Sequence, residues 1–135
     1  MLKPGDTFTQ EFNFSQEEVN QFAALSGDQN PLHLEGDYAN NSSFGKPIIH
    51  GVLIISVFSQ IIGMKFPGEG TIYLGQDIDF KRPAFPGHTY RAELEVAEVI
   101  EGKHIASIKT QIFDSENNKI ILDGFARIKN KEKVA

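Results

Sequence analysis

The chain contains no cysteine and no tryptophan. Disulfide staples, cysteine nucleophiles and thiolate metal sites are thereby excluded, and the lack of thiols suits a reducing compartment. A basic run is also missing: 13 Lys and Arg are scattered against 18 Asp and Glu, for a formal net charge of −5. Nucleic acid is not the expected partner, because phosphate backbones are gripped by clustered cations. The opening MLKPGDTFTQ lacks the apolar stretch of a signal peptide, so the expected location is the cytoplasm. No internal repeat and no low-complexity segment breaks the 135 residues. That length suits one domain with a real core, taken as residues 1–130, followed by a polar tail, 131–135, expected to fray.

One long hydrophobic run is present, Ile48 to Phe66. A membrane span needs about 20 apolar residues. This run contains His50, Ser56, Ser59, Gln60 and Lys65, and Pro47 and Pro67 bracket it. It reads as a buried core helix over Ile48–Met64, roughly 25 Å long, and no membrane partner is expected. The helix is apolar nearly all round and must be wrapped by other structure. Ser56, Ser59, Gln60 and Gly63 form a stripe of small and polar residues where something packs closely.

Around this run, Phe8–Phe14 alternates as a half-buried strand. Ser15 with Glu18 is a capping-box pattern, opening a helix that should stop at Ser26-Gly27. A helical turn is expected at Asp37–Asn40. From Thr71 the period becomes two: Ile72, Leu74, Ile78 and Phe80 share one strand face, and Tyr90, Ala92, Leu94 and Val96 repeat the pattern. Ile105–Phe113 and Ile120–Ile128 are two further strands, joined by the polar turn Asp114–Asn118. One buried helix followed by long antiparallel strands predicts an α+β domain, with the helix lying on a curved sheet.

The chemistry is concentrated in Ser26-Gly-Asp-Gln-Asn-Pro-Leu-His33. Gly27 and Pro31 restrict this loop, and Asn30, preceding proline, is pushed to an extended conformation. Asp28 and His33 can then converge on one small volume. A carboxylate and an imidazole gripping a water form a minimal acid/base device. The spacing alone also fits an Asp28 that closes a turn and a His33 that is a packed polar residue. No metal site is expected, since the four His, at 33, 50, 88 and 104, have no paired spacing. No nucleotide fingerprint is present either.

SGDQNPLH with the following LEGDYA closely resembles the signature of the (R)-specific enoyl-CoA hydratases, the MaoC-type dehydratases. The resemblance continues through Phe44-Gly-Lys-Pro-Ile-Ile-His-Gly51, Pro67-Gly68, Gly70-Thr-Ile-Tyr73, Arg82-Pro83 and Gly87, covering nearly the whole chain. It implies a hot-dog fold, a homodimer, and reversible hydration of a trans-2-enoyl-CoA to the (R)-3-hydroxyacyl-CoA. No cofactor is implied, the CoA thioester being the substrate. On this resemblance Asp28 and His33 share the attacking water, His33 as base and Asp28 delivering a proton to the α-carbon. Asn30 orders the loop.

Negative charge then builds on the thioester oxygen and needs a donor. Gly51, near the helix start where N–H groups are unpaired, is the candidate. Ser59 is implied as an active-site hydroxyl, and a bond back to the preceding turn is its alternative. His50 is read as shaping the helix start, His88 and His104 as solvated. Lys46, Lys65, Lys81 and Arg82 are candidates for CoA phosphates. Alternatives are a 3-hydroxyacyl-[acyl-carrier-protein] dehydratase and a non-catalytic acyl-binding subunit. Thioesterases that use a helix carboxylate are disfavoured, because Ile48–Met64 contains none.

Overall fold

The computed structural model describes residues 1–135. Strand β1 (Thr7–Phe12) alternates outward polar residues with half-buried Phe8 and Phe12. Helix α1 (Gln16–Ser26) then starts at the expected box: Ser15 Oγ accepts the Glu18 N–H at 3.1 Å, and the Glu18 carboxylate accepts the Ser15 N–H at 2.9 Å. Such a cap stabilises a helix by about 1 kcal/mol. Gly27, at φ 81°, ends it and donates to Ala23 O. Ala there would be strained in the left-handed region.

After the helical turn α2 (Asp37–Asn40), Ile48 and Ile49 lie outside any helix, against the expectation from the apolar run. Their N–H groups donate to Leu32 O and Ala84 O. Satisfying those two partners postpones helix α3 to Gly51–Met64, 14 residues or roughly 21 Å. Leu53, Ile54, Val57, Phe58, Ile61 and Ile62 form its buried face, each contributing about 1.5–3 kcal/mol by leaving water.

That face lies on one antiparallel sheet: β2 (Ile72–Gln76), β3 (Asp79–Phe80), β4 (Tyr90–Ile100), β5 (Ile105–Asp114) and β6 (Ile120–Lys129) join β1 in the order β1-β4-β5-β6-β2, with β3 also on β6. Tyr90, Ala92, Leu94 and Val96 of β4 point to the helix, as the alternation predicts, with Ala106, Ile108 and Ile112 of β5 beside them. The expected continuous strand over residues 72–80 is instead broken. Asp77 leaves the ladder: its N–H donates to Phe125 O, and its Oδ1 accepts the Phe125 N–H, both at 3.0 Å. Strand alternation turns Tyr73 toward the core and leaves Ile72 and Leu74 exposed, and the register shifts between Tyr73 and Gly75. The Tyr73 hydroxyl bonds the Gln76 side chain, and burial pushes its pKa up to about 12. Gln76 in turn donates to Thr110 Oγ1, whose hydroxyl donates to Gly124 O, so the buried Thr110 is satisfied.

The tail is docked, not frayed. Asn130 Oδ1 accepts the N–H groups of Glu132 and Lys133, Leu2 N–H donates to Lys133 O, and Val134 is fully buried. A buried Val134, the Asn130 turn and bonds from Leu2 and His104 hold it together. His88 and His104 also depart from expectation. His88 Nε2 lies 2.9 Å from Asp114 Oδ1, and His104 Nδ1 donates to Val134 O at 2.8 Å. Burial alone would raise the Asp114 carboxyl, but the His88 hydrogen bond and the Glu116 and Asn117 N–H groups outweigh it and lower the value.

Candidate active site

The loop after Gly27 winds into a short 3₁₀ turn, Pro31–His33, with Asn30 before it at φ −53° and ψ 125° and its Oδ1 accepting the Leu32 N–H at 3.0 Å. Asn30 is thus the N-cap of this turn. Asp28 Oδ1 accepts the Asn30 N–H at 3.3 Å, and its other carboxylate oxygen has no protein donor. The carboxylate thus closes the turn with one oxygen and keeps the other free. Gln16, at the start of α1, donates to His33 O at 2.9 Å and ties the loop to that helix.

His33 Nδ1 lies 2.8 Å from Ile48 O. A carbonyl only accepts, so Nδ1 carries the proton and Nε2 of the neutral ring presents a lone pair. His50, at the N-cap of α3 and 2% exposed, donates from Nε2 to the Asp28 backbone O at 2.9 Å. Its ring stacks on His33 at 3.7 Å between centroids and meets Phe22 edge-on at 4.9 Å. Its Nδ1 is buried without a partner.

One ligand-type atom from each of Asp28, His33 and His50 lies within 4.8 Å of the others. A metal ion fits this set poorly. Ring nitrogens bind along in-plane lone pairs, and two rings stacked at 25° aim those lone pairs side by side, not at one tetrahedral point. Two of the four ring nitrogens are also committed to carbonyls. The cluster suits proton transfer.

Gly51 opens α3 with no side-chain cap, and its N–H donates to no protein acceptor. A Cβ on Gly51 would lie 2.6 Å from the Phe80 ring, itself 55% exposed. The bare Cα is thus used by a close ring, while the N–H and the positive helix end remain available. His33, Gly51, Ile54, Phe80 and Ala84 line a cavity of about 360 Å³. A larger hollow, about 770 Å³ beside Glu69 and Lys131, contains none of these groups and is not the site.

Ser59 is not brought to this cluster. It is exposed, about 12 Å further along the helix axis from Gly51, and is absent from the cavity wall. The back-bond considered for it is made by Ser56, to Leu53 O. Lys81 and Arg82 border the cavity; Lys46 sits over the Phe85 ring at 4.4 Å, and Lys65 bonds Gln10 elsewhere. His50 is the residue whose part the sequence under-reads. Its only signal there is a polar ring opening an apolar run next to Gly51.

Comparison with known proteins gives a consistent set of likenesses. The model of the MaoC-like domain family matches residues 3–117. An (R)-specific enoyl-CoA hydratase of Aeromonas caviae is 45% identical over 116 residues, 86% of each chain. A mitochondrial 3-hydroxyacyl-[acyl-carrier-protein] dehydratase of Arabidopsis thaliana is 31% identical, covering 93% of this chain and 76% of its own. Among solved structures, an (R)-hydratase from A. caviae involved in PHA biosynthesis superposes with a TM-score of 0.91 at 42% identity, over 96% of this chain and 97% of that one.

Proposed function

Because the chain belongs to the MaoC-like dehydratase family and has its hot-dog fold, we propose that it is an (R)-specific enoyl-CoA hydratase, a hydro-lyase adding water reversibly across trans-2-enoyl-CoA. The observation that carries this reading is the Asp28 carboxylate within 4.8 Å of the His33 imidazole, whose ring lines one cavity together with the uncapped Gly51. His33 Nε2 takes a proton from water as its oxygen bonds to C3. The imidazolium passes that proton to the Asp28 carboxylate, which delivers it to C2, so the elements of water end on C3 and C2 and the pair ends as it began. Both groups act from one loop, on one face of the double bond, and the addition is syn. Charge developing on the thioester oxygen meets the Gly51 N–H, a type of donor worth about 10²–10³ in turnover.

The reaction draws on these side chains and water alone, with the CoA thioester as substrate and no cofactor. Lys81 and Arg82 at the cavity edge supply charge for its phosphates. A homodimer is part of the proposal, as is a cytoplasmic location; no helix is long and apolar enough to cross a membrane. Ser59 belongs to the helix face that a second copy covers. A second reading, dehydration of a 3-hydroxyacyl group on acyl carrier protein, is favoured by the likeness to the Arabidopsis dehydratase, since one site lowers the barrier in both directions. The test is a hydration assay over a ladder of 2-enoyl-CoA lengths, with chiral analysis of the product and the matching acyl-carrier substrates alongside. The (R)-3-hydroxyacyl-CoA is the expected product. An (S) product, or no hydration on either carrier, rejects the reading.

A further inference from the structure

Four consecutive residues, Ile48 to Gly51, touch every group the hydration uses. The Ile48 carbonyl holds the proton on His33 Nδ1, and Gly51 offers the free N–H. Between them His50 spans the other two components: it donates to the Asp28 backbone at 2.9 Å and lies flat on the His33 ring at 3.7 Å. It is buried, braced by Phe22 at 4.9 Å, and its remaining nitrogen bonds nothing. A buried polar atom left unsatisfied costs about 1–3 kcal/mol, so a ring serving packing alone is better replaced by a hydrocarbon.

We infer that His50 is the positioning residue of the hydratase: its ring sets the spacing and tilt of the Asp28 carboxylate relative to His33 Nε2. The inference rests on the hydratase reading. Gln16 and Ile48 tie the loop at its His33 end, but at Asp28, which is exposed, the N–H and the carboxylate make turn bonds only; the His50 hydrogen bond is the long-range tether at Asp28 itself. The stack fixes His33 against rotation about its Nδ1–H bond to Ile48. Misplacement of reacting groups by an ångström lowers turnover without weakening binding.

Two variants separate the tether from the plate. His50→Phe keeps a flat ring and removes the donor; His50→Gln keeps an N–H at the reach of Nε2 and removes the ring. Each is expected to lower kcat on crotonyl-CoA by more than about tenfold with KM changed less than about twofold. In His50→Phe the Tm should hold or rise, because the unsatisfied nitrogen is gone. A merely structural residue would instead lose Tm and leave the kcat of the folded fraction intact. The proposal is overturned if either folded variant keeps wild-type kcat, or if the loss lies in KM; one folded variant is enough to decide. Wild-type protein without hydratase activity rejects the underlying reading, whereas active wild type with an equally active His50→Phe rejects the positioning role alone.

Discussion

Replacing Asp28 by Asn keeps an oxygen where Oδ1 accepts the Asn30 N–H, so the turn survives while the transferable proton is lost. The side chain is exposed, and the change should leave Tm nearly untouched. Positioned general acid/base groups are worth about 10²–10⁴ in rate, so Asp28→Asn is expected to lower kcat on crotonyl-CoA by at least a hundredfold. His33→Ala should do the same. Steady-state rates with a thermal melt on each variant check this; near-normal turnover in folded Asp28→Asn removes the carboxylate from the chemistry. At this scale the five-residue spacing in one constrained loop makes the closeness of Asp28 and His33 legible in the sequence, while their use as a pair is read there from the family resemblance and not from the spacing. His50 is not legible there. Its meaning depends on Asp28 O, 22 residues away, and no local pattern encodes a contact of that range.

Among the elements, the break between β2 and β3 marks a point where the chain tolerates no side chain. An ideal Cβ on Gly124 would lie 1.9 Å from Asp77 O and 2.7 Å from its carbonyl carbon, a clash with backbone and not with a yielding side-chain end. Gly124→Ala must push Asp77 away and strain its two bonds to Phe125. A cost of about 3 kcal/mol follows, which for this length lowers Tm by roughly 10 °C. A melt within about 2 °C of wild type would show that the crossing is loose. The crossing also explains why residues 72–80 read as one strand: the alternation persists through Ile78 and Phe80, but pairing is decided by a glycine on another strand. Where the deciding contact is local, as in the Ser15–Glu18 box or the Gly27 stop, sequence and structure agree. Where it is distant they part, and the long helix begins three residues late because Leu32 and Ala84 draw out Ile48 and Ile49. The tail follows the same rule, since Val134 alone among charged neighbours gives no periodic signal.

For the whole molecule, the unmet demand is on the far side of α3. Six side chains of that helix meet the sheet, but Val52 is 67% and Met64 73% exposed on the opposite face. Ser56, Ser59 and Gln60 lie between them, also exposed. The sheet edges are unequal too. β1 turns Thr7, Thr9 and Glu11 to solvent, polar groups that discourage pairing, whereas edge strand β2 presents Ile72 and Leu74, 58% and 40% exposed. In the proposed homodimer, a second copy related by a two-fold axis would cover the helix face and pair the β2 edge at once, because a self-complementary patch of that kind closes into a dimer. Light scattering should give twice the single-chain mass. Ile72→Lys with Leu74→Lys places charge on the outward side of β2 without touching the inward Tyr73, and should shift the protein to single chains with a lower Tm. Wild type that remains a single chain at micromolar concentration while hydrating crotonyl-CoA at full rate would refute the dimer, and the apolar helix face would then need another cover.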